Sequence, residues 1–166
     1  MTDRTIWITG ASAGIGEALA ARFAQEGARL VLSARRQSEL ERVAERCRNK
    51  GLSADQVLVL PLDVTDWEAL PGAVQTVLDQ FGGIDLLINN AGLSQRSLCV
   101  DTDMSVYRQL MEVDVMGQIA LTKAVLPHML ERGTGHIAVT ASVAGKVGAP
   151  TRTGYCAAKH AVMGFF

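Results

Sequence analysis

A hydroxyl, a phenol and an ammonium can converge near the end of this 166-residue chain. The stretch from Ile137 to Phe166 reads IAVTASVAGKVGAPTRTGYCAAKHAVMGFF. A β-branched run ends at Thr140–Ala141–Ser142, a Gly/Pro-containing loop follows, and a helical segment opens near Thr153. Tyr155 and Lys159 stand four residues apart, which puts both on one helical face. Ser142 sits at the strand end, where an α/β domain can bring it against that face. The charge of Lys159 favours an ionised phenol, and its ammonium can hold a ribose. Tyr155 can then give a proton to a carbonyl oxygen or take one from an alcohol. Ser142 can hold the substrate oxygen by a hydrogen bond. The plainer alternative is a packed tyrosine beside a snorkelling lysine.

That chemistry needs a redox partner, and the start of the chain offers a place for one. Gly10-Ala11-Ser12-Ala13-Gly14-Ile15-Gly16 separates a short apolar strand from an apolar-periodic helix. Small residues let the backbone approach a phosphate there, and a helix N-terminus supplies free N–H groups and positive potential. The spacing is GxxxGxG, neither GxGxxG nor a phosphate loop ending in Gly-Lys-Ser or Gly-Lys-Thr. A tight turn whose glycines serve packing is the competing explanation. With a nicotinamide supplying hydride, no protein nucleophile is required.

The tip of the second strand carries Ala34, not an acidic residue, followed by Arg35 and Arg36. An acid at that position would bond a ribose 2′-hydroxyl and repel a 2′-phosphate. A guanidinium suits the phosphate through charge and forked hydrogen bonds. NADP(H) is therefore expected over NAD(H), with Arg35 the better placed of the two. A solvated basic helix start is the alternative. Asp63, at the end of the third strand, is expected either to cap the adenine site or simply to cap its loop.

Alternating elements position these groups. Strands are expected at Ile6–Thr9, Leu30–Leu32, Val57–Leu60, Ile84–Ile88 and Ile137–Thr140. Helices are expected through about Glu26, from Gln37 to Asn49, from the capping-box pair Thr65/Glu68, from Asp103 to Leu130, and from Thr153. Pro71 predicts an irregular or later start for the third helix, and Pro127 a bend near the end of the long one. Short, nearly all-apolar strands between helices imply a parallel sheet buried on both faces. The expected architecture is α/β, a doubly wound Rossmann-like sheet of order 3-2-1-4-5, with residues 1–166 forming a single domain.

Composition narrows the partners. Sixteen basic against seventeen acidic residues leave a net charge of -1, with no general pull toward nucleic acid or anionic membrane. No run reaches about 18 apolar residues, so no membrane segment is expected. Cys47, Cys99 and Cys156 form neither a metal-ligand spacing nor an even disulfide set, which points to a reducing, cytoplasmic setting. His128, His136 and His160 are scattered, so no metal site is expected. Trp7 and Trp67 read as structural.

Taken together, the chain resembles the classical short-chain dehydrogenase/reductase family over its whole length. The marks are the turn Thr9 to Gly16, Asp63-Val64, Asn89-Asn90-Ala91-Gly92, Ser142, and Tyr155-Cys156-Ala157-Ala158-Lys159. The resemblance implies a pyrophosphate held by Gly10, Ser12, Ala13, Gly14, Ile15 and Gly16. It also implies a cofactor bordered by Asp63, Val64, Asn90, Ala91 and Gly92, and a catalytic trio of Ser142, Tyr155 and Lys159. From Ser94 to Phe166 the chain also looks like the membrane-associated "member 7" branch, although that branch's hydrophobic N-terminal anchor does not occur in these residues.

Two departures from the family pattern qualify those implications. The family carries an Asn in the long helix that bends the backbone and helps connect a water to the Lys. Here Val113-Asp114-Val115-Met116-Gly117 puts Asp114 in that place. An ionised Asp accepts hydrogen bonds but has no N–H to give. Its charge also competes with Tyr155 for Lys159, unless the change is a tolerated near-isostere. Second, the family continues beyond the Tyr/Lys helix with two strands and a substrate-covering segment. A piece of a longer chain, a natural truncation and completion by a partner chain are all open, the first being expected. Exposed apolar surface at Phe165-Phe166 and an open fifth-strand edge follow.

The expected function is hydride transfer between nicotinamide and a carbonyl or secondary-alcohol substrate, in a homo-oligomer when full length. A non-catalytic nucleotide-binding protein, or an isomerase or lyase on the same fold, are the alternatives.

Overall fold

The computed structural model describes residues 1–166. Strand β1 (Thr5–Thr9) is buried at every residue. It pairs in parallel with β2 (Arg29–Ser33) on one side and β4 (Leu86–Asn89) on the other. Ile8 lies opposite both Leu32 and Ile88. Outside these, β3 (Val57–Val59) joins β2 and β5 (His136–Val139) joins β4, again in parallel. The order is therefore β3-β2-β1-β4-β5, as the alternation of elements implies. Each parallel step needs a crossover. Helices α1 (Gly14–Gln25), α2 (Gln37–Arg48), α3 (Leu70–Phe81) and the α4–α5 pair (Met104–Met111, Gly117–Arg132) lie in those crossovers, and α6 (Thr153–Phe165) follows β5.

The two-residue period of the strands splits the core into two layers. Ile6, Ile8, Leu30, Leu32 and Ile88 pack with Ala20 and Ala24 of α1 and Leu40 and Val43 of α2. Trp7, Val31 and Leu87 face the opposite way, against Val77 and Phe81 of α3 and Leu121 and Val125 of α5. That double burial is why the strands carry hydrophobic residues on both faces. The Trp7 indole N–H is buried but satisfied, donating to the Ser33 hydroxyl at 2.9 Å.

Three local features depart from the expectations, and a fourth matches them. The Thr65/Glu68 pair opens no helix: Thr65 gives its N–H and hydroxyl to Asp63 Oδ1, and α3 starts at Leu70 with Pro71 in its first turn. Proline is favourable there because a first-turn N–H has no helical partner. The long helix is broken into α4 and α5 by a π-helical segment, Glu112–Met116, and α5 runs on through Pro127 to Arg132. Trp67 is 46 % exposed and belongs to no core layer. Strand β5 hydrogen-bonds only to β4 and alternates between exposed and half-buried residues, the open edge foreseen from the sequence.

Candidate active site

The loops that leave the C-terminal ends of the strands, with α6 and the π segment, carry the residues singled out in the sequence. The first is the glycine turn. Gly10 has φ +64°, and a Cβ there would lie 2.9 Å from the Ala91 backbone. A Cβ on Gly16 would lie 2.3 Å from the Gly10 carbonyl oxygen. These two positions let the β1 and β4 loops and the start of α1 close on one another. Gly14 also has positive φ, +58°, but faces open space. Ala13 stands at the α1 N-terminus in extended conformation and offers no side-chain cap. The first N–H groups of α1 thus have neither a helical partner nor a side-chain acceptor, and a phosphate suits that position.

Arg35 and Arg36 follow the β2 tip, exposed, and line the same cleft. Asp63 lines it too. Burial works to raise the Asp63 pKa, but the bonds from Thr65 and the charge of Arg35 outweigh it and hold the carboxyl below its usual range.

The β4 loop is tied to the turn by a compact set of bonds. The Thr9 hydroxyl donates to the Ile88 carbonyl and accepts from the Asn90 and Ala91 N–H groups, each at 3.0 Å. The Asn90 amide reaches the Thr9 carbonyl at 3.0 Å and accepts from the Thr140 hydroxyl at 2.9 Å. Buried Gln118 donates to the Ala91 carbonyl at 2.9 Å. Asn89 instead turns into the core, donating to Thr122 at 2.9 Å.

Tyr155 and Lys159 share a face of α6, as their spacing requires. The Lys159 ammonium lies 5.7 Å from the Tyr155 ring centroid and donates to the Thr140 carbonyl at 3.0 Å. Asp114 is fully buried in the π segment. Its Oδ1 accepts from the Leu93 N–H at 2.6 Å; its Oδ2 lies 3.6 Å from Lys159 Nζ and has no hydrogen bond. Burial pushes the Asp114 carboxyl pKa up, against the opposing pull of the Leu93 bond and the Lys159 charge.

These groups open on one cleft of about 800 Å³. Gly10, Ser12, Ala13 and Ile15 line it at the turn; Val64, Asn90, Ala91 and Gly92 at its middle; Asp114, Tyr155 and Lys159 at its far end. Ser142 is not in the lining. Its hydroxyl oxygen accepts from the Ala144 N–H at 3.1 Å, capping a short turn, and its proton is left to give. Gly14 and Gly16 shape the turn without lining the cleft. His160 is exposed, with Nδ1 2.8 Å from the Cys156 carbonyl of its own helix.

Residue types alone do not mark Arg42 as a support of the glycine turn. It forms a fork to Glu17 of α1, with both bonds at 2.9 Å, and also donates to the Ser12 carbonyl at 3.2 Å. Arg46 adds a bond to Glu17 at 2.8 Å. The only sequence signal is a periodic one: Arg42 and Arg46 are four apart on α2 and Glu17 lies in the first turn of α1.

A doubly wound α/β domain with a glycine turn after β1 and a Tyr-x-x-x-Lys helix after β5 defines a recognisable class. The chain belongs to the short-chain dehydrogenase family, whose model matches residues 4–166. It is 53 % identical to human dehydrogenase/reductase SDR family member 7, covering 100 % of this chain and 49 % of that protein. The mouse counterpart is 50 % identical, with the same coverage. The chain thus spans about half the length of these relatives. Among solved structures, actinorhodin polyketide ketoreductase with NADPH superposes at a TM-score of 0.92 and 32 % identity, covering 98 % of this chain and 62 % of that one. NAD⁺-bound xylitol dehydrogenase gives 0.94 and 32 %, covering 99 % and 62 %. No helix of the chain is long and apolar enough to cross a membrane.

Proposed function

We propose that the protein is an NADP(H)-dependent oxidoreductase that interconverts a carbonyl compound and a secondary alcohol. The observation that carries this reading is the single cleft running from the glycine turn to Tyr155 and Lys159. The uncapped start of α1 fits a pyrophosphate, and Val64, Asn90, Ala91 and Gly92 border the path between the two ends. The bound nicotinamide supplies or accepts hydride.

The chain's own residues handle the proton. Tyr155 donates it to the carbonyl oxygen during reduction and takes it back during oxidation. Lys159, anchored on the Thr140 carbonyl, keeps positive charge beside the phenol. Ser142, its oxygen already held by Ala144, is left to donate its hydroxyl proton to the substrate oxygen. Asp114 draws on the same ammonium at 3.6 Å and tempers it. That contact also favours a second reading, a nucleotide-binding protein with little turnover.

Preference for NADP(H) rests on Arg35 and Arg36 and on Ala34 in place of an acid at the β2 tip. Three unpaired cysteines fit a reducing, cytoplasmic setting. The test is a fluorescence titration with NADPH and NADH. NADPH is expected to bind at least about tenfold tighter, with Arg35→Ala removing most of the difference. Equal or tighter NADH binding would remove the role given to Arg35. Binding of both cofactors with no turnover of any ketone would favour the second reading.

A further inference from the structure

A second cation besides Lys159 stands beside the Tyr155 ring. The Arg152 guanidinium carbon lies 5.8 Å from the Tyr155 ring centroid, on the residue just before α6. One of its terminal nitrogens donates to the Ser94 hydroxyl at 2.5 Å, and Ser94 lines the cleft. None of the chain's eight ion pairs uses Arg152. A guanidinium carries five N–H donors in a fixed fork suited to a carboxylate. Ser94 takes one of them, and no carboxylate of the chain takes another.

The side chain is positioned, not swept through solvent. Arg152 is half-buried. The preceding residue, Thr151, holds φ +62°, a region that β-branched residues rarely enter. The Thr151 carbonyl accepts from the Ser97 N–H at 2.9 Å, and the hydroxyls of Thr153 and Tyr107 meet at 3.0 Å. The loops after β4 and β5 are thereby fastened to each other around Arg152.

Its place in the sheet says which anion it serves. The pyrophosphate position is the α1 N-terminus after β1, and the exposed arginines for a 2′-phosphate follow β2. Arg152 follows β5, on the far side of β4 from both. Lys159 already faces Asp114. Arg152 does not itself line the cleft, but Ser94, which does, holds it at the cleft's edge, where it is free for an anion other than these.

We propose that Arg152 is a specificity residue that recognises a carboxylate on the substrate, and that the protein acts on 2- or 3-oxo acids and the matching hydroxy acids. This rests on the oxidoreductase reading above and names its substrate class. In the reductive direction hydride from NADPH forms the new C–H bond, the carbonyl π pair becomes the alcohol oxygen's, and Tyr155 supplies its proton. The carboxylate remains ionised on Arg152 and takes no part in bond making.

The test compares twins that differ in charge, benzoylformate and benzoylformamide. Each is titrated by calorimetry into protein saturated with NADP⁺, which does not reduce them, so binding is read apart from turnover. The wild type is expected to bind the acid about tenfold tighter than the amide, one charge-assisted hydrogen bond's worth. Arg152→Met is expected to bring that ratio close to one, and Arg152→Lys to restore part of it. Equal affinity for the twins in the wild type, no binding of either, or a ratio unchanged in Arg152→Met would overturn the proposal. Failure of the underlying reading looks different: NADP⁺ itself does not bind, or the twins bind with the expected ratio while NADPH is consumed with neither.

Discussion

Asp114 is the residue whose behaviour most sharply separates readings of this site. Its Oδ1 position could be filled by an Asn oxygen, which would still accept from Leu93, so Asp114→Asn changes the charge and little else of the packing. Removing a negative charge beside Lys159 makes the ionised phenol easier to form. Alcohol oxidation at neutral pH is expected to quicken about fivefold in Asp114→Asn. An unchanged rate would show that the 3.6 Å contact has no effect on the proton. The same carboxyl has a second signature. Burial raises its pKa above the ordinary 3.8, so the folded state holds the proton more tightly than the unfolded one. Stability from this group therefore falls as pH rises from about 4 through the folded pKa. Thermal melts of Asp114→Asn should lack that decline. Much at this scale was legible beforehand: the spacing of Tyr155 and Lys159 put them on one face. The hydroxyl of Ser142 was not, because its bond to Ala144 depends on a short turn that no side-chain pattern announces.

Among elements, the contact of α2 with the glycine turn adds what the motif alone does not contain. Arg42 joins the first turn of α1, through Glu17, to the Ser12 carbonyl. The bond from Arg42 is the main cause holding the Glu17 carboxyl down at about 2; burial opposes it and Arg46 assists. Because the folded pKa lies below the unfolded 4.5, Glu17's contribution is fully present above that value and is lost as pH falls toward about 2. Arg42→Met should shift acid unfolding to higher pH, followed by circular dichroism. It should also weaken NADPH binding about fivefold, since the Ser12 carbonyl loses a charged donor. Unaltered affinity would mean that the turn holds its shape without α2. The π segment shows the opposite limit of sequence reading. The apolar periodicity from Asp103 to Leu130 is continuous, so one long helix was the natural expectation. The resemblance puts a backbone bend at the Asp114 position; that the bend is a five-residue π segment with Asp114 fully buried in it is a tertiary fact.

At the scale of the molecule, the sheet order follows from alternation of apolar strands with helices and from the handedness of parallel crossovers. Which strand face meets which helix layer came only with the fold. The open side is β5, beside which Phe165 and Phe166 stack edge to face at 4.9 Å while 51 % and 43 % exposed. Replacing both with Ser should reduce binding of an apolar-surface fluorescent dye, while NADPH binding persists. Undiminished dye binding would place the exposed apolar surface elsewhere. The central claim is that this cleft moves a hydride and that Tyr155 moves the proton with it. The most direct measurement is NADPH absorbance under single turnover with a ketone, comparing the protein with its Tyr155→Phe variant. Consumption in the former, and a loss of at least about a hundredfold in the latter with NADPH affinity retained, is the predicted result. Equal consumption by both proteins would contradict it.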